Sequence, residues 1–199
     1  SNFLFIAASD DYTVDVAPAA EGVITAQVLE SVCTDNTGVN LNYASNLISR
    51  TYDSIRPTIT VATTHGTVLA SARVTNVSPF PITFTFSEVV TGFVSSDITV
   101  TNSGTVSAFT TSDNIVFNVE ITPPADGDYV VSVADSVCTD IATNGNTASV
   151  STTFTFDTTG PTVTMSSSTT ADTNVSPMPI TAVWNENVYG LTLNGITVT

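Results

Sequence analysis

The sequence predicts an all-β chain built from a unit of about 100 residues repeated in tandem, and three observations predict it. Short segments alternate apolar and polar residues between Gly and Pro breaks, as in Ile82-Thr83-Phe84-Thr85-Phe86 after Pro79 and Pro81. No apolar period of 3.6 residues is sustained over a dozen positions, which limits helices to single turns. The chain also aligns with itself. Residues 17–35 (APAAEGVITAQVLESVCTD) match 122–140 (TPPADGDYVVSVADSVCTD) without a gap, and 76–101 match 174–199, both runs holding the segment Asn-Val-Ser-Pro.

Taken in order, residues 1–56 read as the back part of a unit, 57–160 as a complete unit and 161–199 as the front part of the next. In the first piece, Phe3 and Phe5, then Tyr12, Val14 and Val16, alternate as strands do, and the turn Ala-Pro-Ala-Ala-Glu-Gly at 17–22 leads to a strand at 23–29. Residues 31–42 form a polar loop, and 43–55 a last strand. The complete unit has seven candidate strands, centred on 58–61, 82–86, 98–101, 105–109, 115–122, 128–133 and 149–156. Seven short strands in about 100 residues predict an immunoglobulin-like β-sandwich. The Cys…Trp…Cys pattern of antibody domains is absent, and Trp184 takes the place of Phe86, a core position. The outer pieces are complementary: either the parent chain continues at both ends, or halves from different copies come together.

Composition bounds the function. Three Arg, no Lys and a formal charge of −15 leave nothing to neutralise phosphates, which excludes nucleic-acid binding and disfavours anionic membranes. No apolar run reaches the ~20 residues of a membrane span, and FLFIAA at 3–8 reads as a strand. An acidic, Thr-rich surface suits an extracellular setting, where salt and divalent cations screen it.

Catalysis finds little support. His65 is the sole histidine and sits in a loop found in one unit only. The acid pairs Asp10/Asp11 and Asp126/Asp128 fall in turn-rich sequence, where Asp caps its own backbone. One His and two Cys in different units cannot build a zinc site. Calcium is the metal to consider, because acids recur at matched positions: Asp35/Asp140, Glu30/Asp135, Asp53/Asp157 and Glu88/Glu186. Asp140, Asn144, Asn146 and Asp157 are the candidate ligands, against the simpler reading of Asp140 and Asp157 as turn caps. No cofactor is required otherwise. Cys33 and Cys138 are equivalent, one per unit, so a disulfide would join different chains or repeats; otherwise each is a small buried hydrophobe. Asn76 and Asn174 begin Asn-Val-Ser triplets, candidate N-glycosylation sites.

The block NVSPFPITFTFSEVVTGFVSSDITVTN at 76–102, ITPPADGDYVVSV at 121–133, CTDIATNGNTAS at 138–149 and FDTTGPTVT at 156–164 together resemble the tandem bacterial Ig-like repeats of large extracellular adhesins and surface filament proteins. That resemblance implies a non-catalytic rod or stalk at the cell surface, whose partners are neighbouring repeats and copies of itself. The alternative is an adhesin module whose end loops bind a glycan or protein. Three features depart from the family pattern: Cys before Thr139-Asp140, the enlarged loop at 64–73, and the first loop, DNTGVNLNYAS, which lacks the Gly-Asn-x-Asn spacing.

Overall fold

In a computed structural model that describes residues 3–8, 11–63 and 73–198, the alternating segments become strands joined by turns, with 3-10 turns only at Ser95–Asp97 and Leu193–Gly195. The first four strands, β1 (Phe3–Ala8), β2 (Asp11–Val16), β3 (Gly22–Ala26) and β4 (Ile48–Tyr52), form two antiparallel pairs, β1 with β2 and β3 with β4. The complete unit holds β5 (Ile59–Ala62), β6 (Val74–Thr75), β7 (Phe80–Phe86), β8 (Ile98–Val100), β9 (Thr105–Thr111), β10 (Val116–Thr122), β11 (Gly127–Val133) and β12 (Thr152–Phe156). A last antiparallel pair follows, β13 (Val163–Ser167) with β14 (Ile180–Trp184).

The eight strands of the unit make two sheets, ordered β5-β7-β10-β9 and β6-β12-β11-β8, which is the sandwich the sequence predicts. All seven predicted strands are present. The eighth, β6, is two residues paired in parallel with β12, too short to leave a period in the sequence. His65 and the enlarged loop, apart from Arg73, lie outside the described residues, as does Asp10.

Period-two alternation sends Phe80, Ile82, Phe84 and Phe86 of β7 inward, against Phe117, Val119 and Ile121 of β10 and, across the sandwich, Val131, Val133 and Phe154. Burial of each such side chain stabilises the unit by about 1.5–3 kcal/mol. The Phe93 ring stands edge-on to Phe86 and Phe117, with centroids 5.0 Å from each. Pro81 is tolerated in an inner strand because β5 pairs only with residues 83–86, so the missing N–H interrupts no bond between the two. Tyr129 closes one end by donating its hydroxyl to the Ala125 carbonyl at 2.6 Å.

Candidate cation site where the chain joins the sandwich

The loop from 134 to 147 is organised by Asn146, whose side chain is fully buried. Its Oδ1 accepts from the backbone N–H groups of Val137 (2.9 Å) and Cys138 (3.0 Å), and its Nδ2 donates to the carbonyls of Ala134 and Thr147, both at 2.9 Å. Asn is suited to this place because one planar amide offers two donors and an acceptor oxygen with two lone pairs. This corrects the expectation that Asn146 is a calcium ligand: its amide is already saturated by the backbone. Gly145 permits the close turn, since a Cβ there would stand 2.7 Å from the Ser136 Oγ.

The folded loop presents Asp140, which is buried, beside Asp53 from the incoming chain and Glu88 from the end of β7. One carboxylate oxygen from each of the three lies within 4.8 Å of the others. Asn144 holds the group together: its backbone N–H and its Nδ2 both donate to the Asp140 carboxylate at 2.9 Å, and Nδ2 also reaches the Asp53 carbonyl at 3.1 Å. Burial works against ionisation of Asp140, but the bonds from Asn144 and the loop backbone outweigh it and hold the carboxyl below its ordinary value. Glu88 moves the other way, raised by its own burial and then by the negative charges of Asp140 and Asp53. Three oxygen donors with crowded negative charge suit a hard divalent cation such as calcium and would not select zinc.

The other candidate residues are dispersed. Asp157, the candidate ligand read at the junction with the next unit, stands at the far end of β11 from Asp140, where its carboxylate accepts from the Thr159 N–H at 3.0 Å. Asp128 accepts from the Thr155 hydroxyl, and Asp135 pairs with Arg56 at 2.6 Å. Cys138 is buried, its thiol pushed up to about 11 by burial and then by the charge of Asp97, so it behaves as a core side chain. Cys33 is exposed, and both thiols are free. Asn76 and Asn174 are both exposed.

Sequence reasoning missed two features. The first loop keeps the same framework despite its different spacing. Asn42 accepts from the N–H groups of Val32 and Cys33 and donates to the carbonyls of Leu29 and Tyr43, at 2.8–3.0 Å. A single extra residue between Asp35 and Asn40 disguises the match. There too the aspartate is held well below its ordinary range, by the Thr37 hydroxyl first and the Asn40 amide second. The second missed feature is the way the chain is gripped between units. Arg56 donates from Nε to the Gly145 carbonyl and from Nη2 to the Asn146 carbonyl, each at 2.6 Å. Two residues earlier, the Ser54 N–H donates to Glu21 at 2.9 Å. At the outgoing end Asp126 takes the place of Glu21, accepting from the N–H and hydroxyl of Thr158 and the hydroxyl of Thr159.

A two-sheet sandwich whose described polar clusters lie at its junctions and loops belongs to the class of immunoglobulin-like modules, and such families are generally non-enzymatic. The family described as Bacterial Ig-like domain matches residues 53–156, more than half of the sequence, and the chain belongs to that family. Among curated proteins no match is found. Among the described residues no helix is long and apolar enough to cross a membrane.

Proposed function

We propose that the chain is a structural segment of an extracellular rod or filament, in which Ig-like units are held in line by short, bonded junctions. The observation that supports this reading is the grip on residues 53–57. Ser54 is bonded back to Glu21, while Asp53, Arg56 and Pro57 are bonded forward to Asn144, to the 135–146 loop and to Thr147. A linker bonded on both sides within five residues resists bending far better than a free polar one. Calcium at Asp53, Glu88 and Asp140 would tighten the same joint, since one ligand comes from the linker and two from the unit. The repeat carries the inference onward: Asp157 and Glu186 match Asp53 and Glu88.

Single-molecule pulling of the chain tests the reading. Unfolding of the complete sandwich should lengthen the tether in one discrete step of roughly 30–35 nm, the contour of about 100 residues less the folded length. Gradual lengthening at low force without such a step would refute it. The alternative, an adhesin module that binds a glycan or protein through its end loops, would be favoured instead by saturable ligand binding that is lost when residues 64–73 are shortened.

A further inference from the structure

Among the described residues, the main-chain N–H of Gly145 donates to nothing, although those on either side are all occupied. Asn144 N–H donates to the Asp140 carboxylate, Asn146 N–H to the Cys138 carbonyl and Thr147 N–H to the Pro57 carbonyl. The free nitrogen directly follows Asn144, and Gly145 has no side chain to crowd an attack on the Asn144 side-chain amide. That amide is engaged elsewhere: Nδ2 donates to the Asp140 carboxylate at 2.9 Å and to the Asp53 carbonyl of the linker at 3.1 Å. Next to it, Thr143 is held at φ 70°, a strained conformation for a β-branched residue, which the loop can relax once the Asn144 bonds open.

We propose that Asn144-Gly145 is a site of spontaneous deamidation, guarded while the joint is closed and uncovered when the linker lets go. Base removes the Gly145 N–H proton, the nitrogen attacks Cγ of Asn144, and the Cγ–Nδ2 bond breaks with release of ammonia, leaving a cyclic imide. Water then opens the ring. Addition at Cγ gives aspartate, and addition at the main-chain carbonyl carbon gives isoaspartate, with the backbone rerouted through the side chain. Amide and water become acid and ammonia, and nothing is oxidised or reduced. The new carboxylate has no N–H to donate and faces the Asp140 carboxylate and the Asp53 carbonyl, so the joint cannot close again on the same bonds. An opening is thereby recorded irreversibly.

Two other positions lack one part each. Asn40 makes the same bond to Asp35, at 2.7 Å, but precedes Leu41, whose side chain hinders the attack. At Asn194-Gly195 the attacking nitrogen is itself bonded, to the Thr192 carbonyl at 2.9 Å. The reaction needs only the loop and the linker; that it slackens a load-bearing joint rests on the rod proposed above.

The purified 199-residue chain, kept in mildly alkaline, calcium-free buffer either folded or in urea, provides the test. Peptide mass mapping follows acid formation at each Asn, and enzymatic methylation of isoaspartate counts the rearranged product. In urea Asn144 and Asn194 should convert at similar rates while Asn40 stays intact. Folded, Asn144 should convert at least ~10-fold more slowly than in urea, because bonds that include one to a charged group must open first. Arg56→Ala, which frees the linker and the Gly145 carbonyl, and Asp140→Asn, which removes the charge from the acceptor, should each raise the folded rate by ~3-fold or more, with circular dichroism reporting that the sandwich is intact. Equal rates folded and in urea would overturn the proposal, as would an Asn144 that survives urea while Asn194 is lost, or two folded variants as slow as the parent. A discrete lengthening step under force with an unguarded Asn144 sinks the guard and leaves the rod standing. A guarded Asn144 without that step does the reverse.

Discussion

Replacing Asn146 with alanine should destabilise the complete sandwich by about 3–5 kcal/mol, a large share of the ~5–15 kcal/mol that holds a domain of this size. The side chain is fully buried and serves four backbone groups, two N–H donors and two carbonyls. Left unpaired, each would cost about 1–3 kcal/mol, and relaxation of the loop with entry of water brings the sum down to the range given. The assay is urea unfolding of the full chain followed by far-ultraviolet circular dichroism, where the midpoint should fall by about 2 M at an m-value near 2 kcal/mol/M. Asn42→Ala provides the internal comparison. It removes the same four bonds from an exposed loop, where water can replace them, and should cost under ~1 kcal/mol. A loss below ~1 kcal/mol for Asn146→Ala, or equal losses for the two variants, would refute the claim that this amide organises the loop.

Arg56→Ala should destabilise the junction by about 1–2 kcal/mol with little dependence on salt, because two of its bonds go to carbonyls and its one ion pair is largely exposed; chemical denaturation at ~0.05 and ~1 M NaCl checks both points. Gly145→Ala should cost about 1–3 kcal/mol, read as a lower thermal midpoint, since the new methyl would meet the Ser136 hydroxyl and backbone. In calcium-free buffer stability should depend on pH with two opposite signs. The raised pKa of Glu88 means that its stabilising share is complete below 4.5 and lost as pH rises through the folded value. Asp126 and Asp135 have lowered pKa values, so their share is present above 3.8 and lost as pH falls through the folded values. Stability should therefore climb modestly from neutral pH toward about 4.5 and drop further into acid, and Glu88→Gln should abolish the climb alone. Calcium at ~1 mM should raise the thermal midpoint by several degrees, a chelator should reverse it, and Glu88→Gln should stabilise the apo chain yet remove the response.

Strand positions were legible in the sequence because burial on one face of a sheet imposes a period of two, which Ile82, Phe84 and Phe86 display without interruption. The same logic hides β6, where Val74–Thr75 is too short to show any period and earns its place by pairing with β12. The acids of the junction were visible as residues matched between repeats, but not as a cluster. Asp53, Glu88 and Asp140 lie far apart in the sequence and meet only because β7 ends beside the loop after β11 and the linker crosses both. Spacing instead suggested Asn146, whose neighbourhood in sequence to Asp140 is real but whose side chain turns inward to the backbone. The extra residue before Asn40 shows the converse error, in which a changed spacing conceals an unchanged hydrogen-bond framework.

The guanidinium at Arg56 has no counterpart at the next junction, where the repeat places Gly160. In the proposed rod, a glycine there, with no side chain to reach loop carbonyls, would leave that joint looser than the one at Arg56. Such a rod would be a spine with locked and loose vertebrae, in which the order of Arg and Gly at this position would set where it bends under load and where it stays straight.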